Sequence, residues 1–209
     1  MSKIAIIGAG GNVGHYVVSM AAAKGYTITA ISRSISSELI ENPLNVTPVD
    51  ADVLDTEALV SILAGHAAVI SCLGPGSTGE NSILYEGMAS IVAASRIAGV
   101  PRIIGIGGAG LLDIPGNGMW CDSPGFPGFL RDISRAHRKA LQVLQQSALE
   151  WTFVCPPMMQ QDEATGEYRV QADQLLDAGL SIRFSDVADF IVREIAECNY
   201  IGRRVAIAY

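Results

Sequence analysis

At 209 residues the chain suits one α/β domain, and 49% hydrophobic residues with a mean hydropathy of +0.33 supply a large core. A net charge of −7, with only 14 Lys and Arg, excludes a nucleic-acid surface but leaves room for one basic pocket around a single phosphate. No apolar run approaches the ~18 residues of a membrane span, so a small-molecule partner is expected rather than a nucleic acid or a membrane.

Lys3–Ile7 reads as an apolar strand, followed by a glycine turn, Gly8–Gly14, and a helix to about Lys24 that Gly25 closes. The chain thus opens directly into a strand without the features of a signal peptide. Tyr26–Ser32 and Val46–Val49 follow as strands, and Asp55 stands as N-cap of a helix over Thr56–Ala64. Ala67–Cys72 is a fourth strand, ended by Leu73-Gly74-Pro75-Gly76. Leu84–Ala98 is a long helix and Arg102–Ile106 a fifth strand. This alternation predicts the α/β class: a Rossmann-type doubly wound parallel sheet with right-handed crossovers.

The second half is less regular. Gly107–Gly128 is rich in Gly and Pro and is expected to be mostly loop, its part Gly116–Gly128, with Met119, Trp120, Phe126 and the adjoining Phe129, forming either a flap over a cleft or a packed loop. A helix from about Asp132 to Gln146 and a strand Trp151–Cys155 come next. Gln160–Gln174 reads as irregular structure or a small hairpin. Ser185 is expected to cap a helix over Asp186–Cys198, and Arg204–Ile207 to be the last strand. The expectation is a single domain over residues 1–209, with a small C-terminal lid region roofing a cleft.

The glycines of Gly8-Ala9-Gly10-Gly11-Asn12-Val13-Gly14 follow a strand and open a helix, which is the context a dinucleotide-binding turn requires. Small residues let the backbone approach a pyrophosphate, and the helix N-terminus directs free N–H groups at its charge. An acidic residue at the end of the second strand would favour NAD through the ribose hydroxyls. The chain has Ser32-Arg33-Ser34 there and no carboxylate before Glu38, so Arg33 and Ser34 suit the 2′-phosphate of NADP, unless Arg33 is simply a solvated surface cation. Asp52 and Val53 would border the adenine, Asp52 equally serving as a cap. Leu73, Gly74 and Pro75 lie at the carboxyl end of the fourth strand, beside the expected crevice. Cys72, Cys121, Cys155 and Cys198 are scattered, which suits reduced thiols in the cytoplasm. The three histidines share no ligand spacing with them, so no metal is expected.

With Glu86-Gly87, Ile91-Val92-Ala93-Ala94, Gly99-Val100, Val143-Leu144, Pro156-Pro157 and the tail Arg203–Tyr209, these blocks resemble the atypical, NmrA-like short-chain dehydrogenases/reductases. The likeness is nearest to the NADPH-dependent flavin reductase/biliverdin reductase B group and to the bacterial NADH-flavin reductases. It implies that Gly8, Gly10, Gly11, Asn12 and Val13 hold the pyrophosphate and Arg33 the 2′-phosphate. It further implies that Leu73 and Gly74 sit by the nicotinamide ribose, while Gly107, Gly108, Pro156, Pro157 and Met158 frame the nicotinamide. The family places a histidine where His137 stands, to orient substrate or donate a proton. The bland alternative is a basic, solvated helix face shared with Arg135, Arg138 and Lys139.

Two departures shape the expected chemistry. The turn after the fifth strand is Gly107-Gly108-Ala109-Gly110, without a serine, and there is no Tyr-x-x-x-Lys: Tyr85 is followed by Ala89 and Tyr168 by Ala172. Hydride transfer from NADPH to FMN or another flat conjugated acceptor needs neither, because the cofactor carries that chemistry. A non-catalytic NADP-binding redox sensor fits the same residues. A nucleotide-sugar-type epimerase fits less well, for want of the tyrosine and lysine. The protein is expected to act as a monomer or homodimer.

Overall fold

The computed structural model describes residues 2–34, 45–75 and 79–209. The first half runs β1 (Lys3–Ile7), α1 (Gly14–Ala23), β2 (Thr27–Ser32), β3 (Val46–Asp50), α2 (Thr56–Leu63), β4 (Ala68–Ser71), α3 (Ser82–Ala98) and β5 (Arg102–Ile106). The second half adds a short hairpin of β6 (Asp113–Ile114) and β7 (Gly118–Met119), then α4 (Arg131–Gln145), β8 (Glu150–Cys155), β9 (Met158–Gln160), β10 (Arg169–Ala172), β11 (Ser181–Arg183), α5 (Phe184–Glu197) and β12 (Arg203–Ala208).

The main sheet has the order β10-β12-β8-β5-β4-β1-β2-β3, with every pair parallel except β10 against β12. It is the mostly parallel, doubly wound α/β sheet of a Rossmann-like single domain. Alternation along each strand feeds two cores. Ile4 and Ile6 of β1 pack with Val17 of α1 and Ile191 of α5, while Ala5 and Ile7 face Leu59 of α2, Ile91 of α3 and Leu144 of α4. Both faces are covered, which is why the inner strands are apolar throughout. β3 tolerates Pro48 because it is an edge strand with one neighbour to satisfy.

The chain winds to one side from β1 through β2 to β3, and to the other from β4 onward. The connections therefore diverge between β1 and β4, opening a crevice at the carboxyl ends of those strands. Asp55 caps α2 as its position suggested, its side chain accepting from the Ala58 amide at 3.0 Å.

The second half departs from expectation in two places. Met158–Gln160 pairs in parallel with Ser181–Arg183, and Arg169–Ala172 extends the main sheet, so Gln160–Gln174 is neither irregular throughout nor a small hairpin. Their partners lie too far along the chain for a local pattern to reveal. Arg183, not Ser185, is the N-cap of α5; the Ser185 hydroxyl instead donates to the Asp162 carbonyl at 2.8 Å. Of the two alternatives for Met119, Trp120, Phe126 and Phe129, the packed loop is the one that forms: Phe126 is buried and meets Trp120 edge-on at 5.0 Å. Phe129 alone of that group is largely exposed.

Candidate functional site

The crevice is a cleft of about 730 Å³, within the size range of small-molecule sites. Its floor is the glycine turn. Gly8 adopts φ +81°, and a Cβ there would stand 2.6 Å from the Cys72 carbonyl oxygen, so only glycine lets β1 and β4 close on each other at this point. At Gly14 a Cβ would lie 2.1 Å from the Gly8 oxygen. Gly11 donates its amide to Gly8 at 3.0 Å, and His15 closes the turn from above, its Nδ1 2.9 Å from the Gly11 oxygen. Among the described residues the amides of Asn12 and Val13 have no backbone acceptor, and the first turn of α1 carries no acidic side chain. Unpaired N–H groups and a helix dipole free of competing carboxylates fit a pyrophosphate.

One end of the cleft is polar. Ser32, Arg33 and Ser34 leave β2 there, with the Ser34 amide donating to the Ser32 hydroxyl at 3.2 Å. Arg33 is exposed, and no ion pair among the described residues involves it. Asp52 lines the cleft and folds back to accept from the Leu54 amide at 3.0 Å, closing a local turn rather than capping α2, whose cap is Asp55. Val53 is buried beside it. A Cβ on Gly87 would meet Leu73 Cδ1 at 2.7 Å and Val53 Cγ1 at 3.2 Å, so this glycine lets α3 press both side chains into the wall.

The other end is apolar. Cys72, Leu73, Gly74 and Pro75 leave β4 there, facing Ile83 of α3, Ile106 of β5, Met159 of β9 and Phe184 of α5. Burial pushes the Cys72 thiol up to about 12, so it stays protonated at neutral pH. Met159 and Phe184 are held by a strap, residues 161–167. Asp186, buried in the first turn of α5, accepts from the amides of Thr165 (3.0 Å) and Gly166 (2.8 Å) and from the Tyr209 hydroxyl (2.5 Å). Burial opposes the charge on Asp186, yet these donors hold its carboxyl below the usual carboxylate range. Arg183 adds a 3.0 Å ion pair to Asp162, and Gln161 donates to Tyr16 of α1 at 2.8 Å.

The cleft therefore gathers Gly8, Gly10, Gly11, Asn12, Val13, Arg33, Ser34, Asp52, Val53, Leu73, Gly74 and Pro75. Gly107, Gly108, Pro156, Pro157 and Met158 stand behind it rather than in its lining. Gly107 donates to Val154 at 2.7 Å and Ala109 to Pro156 at 2.9 Å, which ties the ends of β5 and β8 together. Met158 is 62% exposed and its neighbour Met159 lines the cleft, because successive strand residues face opposite ways. Ile83, Ile106, Met159 and Phe184 carried no motif. Only their apolar character at strand and helix ends could have flagged them.

His137 is not on a solvated face. Arg135 pairs outward with Asp132, whereas His137 is 8% exposed on the inner side of α4, against the edge of Phe153 and behind Gly108. Its Nδ1 is buried without a partner, and burial pulls the imidazole down to about 4. It does not line the cleft, and a neutral imidazole does not suit a proton donor near neutral pH. Among the described residues no three His, Cys, Asp or Glu side chains group closely enough to hold a metal ion, and no helix is long and apolar enough to cross a membrane.

The chain matches the model of an NAD(P)H-binding family over residues 8–197. It is similar to the Bacillus subtilis protein YwnB, at 25% identity over 95% of this chain and 92% of that one. Among solved structures, a "putative exported protein" of Burkholderia pseudomallei shares 32% identity at a TM-score of 0.88, with both chains covered in full. A "putative NADH-flavin reductase" of Streptococcus pneumoniae TIGR4 shares 26% identity at a TM-score of 0.86, over 100% of this chain and 99% of that one. A glycine turn at the divergence of a doubly wound sheet, a cleft of dinucleotide size above it and these matches lead to one conclusion: the chain belongs to the NAD(P)H-binding family.

Proposed function

We propose that the protein is an NADPH-dependent reductase of flavins or comparably flat, conjugated acceptors. The observation that carries this reading is the two-ended cleft, with an exposed arginine at one end and apolar walls at the other. NADPH, when bound, supplies a hydride from nicotinamide C4 that passes with its two electrons to flavin N5, while water supplies the second proton, leaving NADP⁺ and dihydroflavin.

The chain's own part is placement and exclusion of water. Asn12 and Val13 present amides to the pyrophosphate, Arg33 and Ser34 hold the 2′-phosphate, and Val53 flanks the adenine. Leu73, Gly74 and Pro75 border the nicotinamide ribose. Ile106, Met159 and Phe184 form the apolar seat for an acceptor ring stacked on the nicotinamide. Gly107, Gly108, Pro156, Pro157 and Met158 support this end from behind, and His137 is a positioning residue beneath Gly108. No side chain is required to protonate substrate, consistent with a Cys72 thiol and a His137 imidazole both held neutral. The similarity to a "putative NADH-flavin reductase" supports the same assignment. Four free cysteines suit a reducing compartment, and we place the protein in the cytoplasm.

The test is NADPH oxidation by purified protein with riboflavin or FMN, followed at the nicotinamide absorbance. Acceptor-dependent turnover is the expected result. Tight NADPH binding without turnover on any flavin or quinone would overturn the reading in favour of a cofactor-sensing regulator.

A further inference from the structure

We propose, resting on the reductase reading above, that the acceptor is recognised by its uncharged ring alone, so that neutral planar acceptors are favoured over those with a phosphate tail. The charge inventory of the cleft carries this. Of its lining residues only Arg33 and Asp52 are charged, and both stand at the polar end. The cation nearest in sequence to the apolar wall is Arg183, beside Phe184. Its guanidinium is committed to Asp162 at 3.0 Å and lies 5.9 Å from the centre of the Tyr209 ring. Arg131, at the start of α4, reaches the carbonyl oxygens of Cys121, Ser123 and Phe126, and Arg138 is clasped by Asp122.

Lys139 of α4 lies over the Tyr85 ring, 4.5 Å from its centre. A dianionic tail entering with the ring thus meets no cation among the described lining residues except Arg33, which the 2′-phosphate of the cofactor takes. It also meets a protein of net charge −7 and, beyond Met159, the acidic strap residues Asp162 and Glu163. The field disfavours it. Riboflavin and FMN share one ring and differ in the phosphate, so their comparison isolates that term.

The experiment measures dissociation constants of riboflavin and FMN for the protein saturated with NADP⁺, by quenching of flavin fluorescence, alongside kcat/KM with NADPH. At about 0.01 M ionic strength, where charges are felt over roughly 30 Å, riboflavin should bind about two- to fivefold more tightly; near 1 M salt the two should converge. Met159→Lys, which places a cation in the apolar seat, should turn the order in favour of FMN. Tighter binding of FMN by the unmodified protein at low salt, eroded as salt rises, would overturn the proposal and leave the reductase reading standing. If neither flavin binds while NADP⁺ does, the reductase reading falls and takes this proposal with it.

Discussion

The two ends of the cleft are built in different ways. The cofactor-facing floor and polar end come from short contiguous stretches: Gly8–Val13, Ser32–Ser34 and Asp52-Val53, each at the carboxyl end of a neighbouring strand. The apolar end takes single residues from α3, β5, β9 and α5, brought together by the pairing of β9 with β11 and by residues 161–167, which Asp186, Arg183 and Tyr16 of α1 hold in place. The first is a backbone device whose geometry is local. The second is a packing device whose geometry depends on the whole second half. A fold of this kind can keep its cofactor site while altering the acceptor seat, since few residues serve both.

Substitutions at each end test that division, beginning with the largest effect. Gly11→Val should abolish measurable NADPH binding by calorimetry while the protein still folds. The turn's one left-handed glycine is Gly8, so backbone strain does not enter at Gly11. A Cβ there lies 3.2 Å from the Gly8 oxygen, and the branched methyls would fill the pyrophosphate's place. Unchanged affinity in the variant would break the claim that the floor holds the pyrophosphate.

Next comes Arg33→Ala. A charge-assisted contact to the 2′-phosphate is worth about 1.5–3 kcal/mol, or roughly ten- to hundredfold in affinity. NADPH binding should weaken by that factor, NADH binding should hardly change, and added salt should erode the difference in the parent protein. Equal affinities of the parent for the two cofactors would remove Arg33 from the site.

The third prediction concerns His137 behind the acceptor end. Its folded-state value of about 4 lies below the unfolded 6.5, so the unfolded chain binds more protons between those limits. Stability contributed by the neutral imidazole is complete above pH 6.5 and is lost as pH falls toward 4. By pH 5 the loss is roughly 2 kcal/mol. Burial lowers His66 as well and acts in the same direction. Denaturant midpoints at pH 7.5 and pH 5 should therefore differ less in His137→Leu than in the parent. The pH profile of kcat between 5 and 8 should show no step that the His137 variant removes; such a step would restore an acid role to this residue.

The smallest effect is at Phe184. Its truncation to Ala removes one wall of the acceptor seat and should raise flavin KM about fivefold, with NADPH affinity within about twofold. A larger loss of NADPH than of flavin binding would show that the two ends are not separable.

The same contrast explains what could be read from the amino-acid order. The strands from β1 to β5, the cap at Asp55, the glycine turn and the arginine in place of an acidic residue were all legible, because each rests on neighbours within a few positions. The Met158 side chain was misplaced by one residue because the register of β9 is set by β11, more than a score of residues onward. The strand nature of Arg169–Ala172 depended on β12 in the same way. His137 was open to two readings, a group orienting or protonating substrate and a solvated neighbour of Arg135, Arg138 and Lys139, yet helical periodicity turns it inward with Ala136, Ala140, Leu141 and Leu144.

By itself, then, the sequence determined a nucleotide-binding βαβ unit, since a glycine turn between an apolar strand and a helix needs no distant partner to take its shape. Only the tertiary structure decided the apolar end of the cleft: Ile83, Ile106, Met159 and Phe184 are ordinary apolar residues until long-range pairing brings them to one wall. The neutrality of His137 was decided there too, because a side chain's ionisation is set by the dielectric of what packs around it and not by its neighbours in the chain.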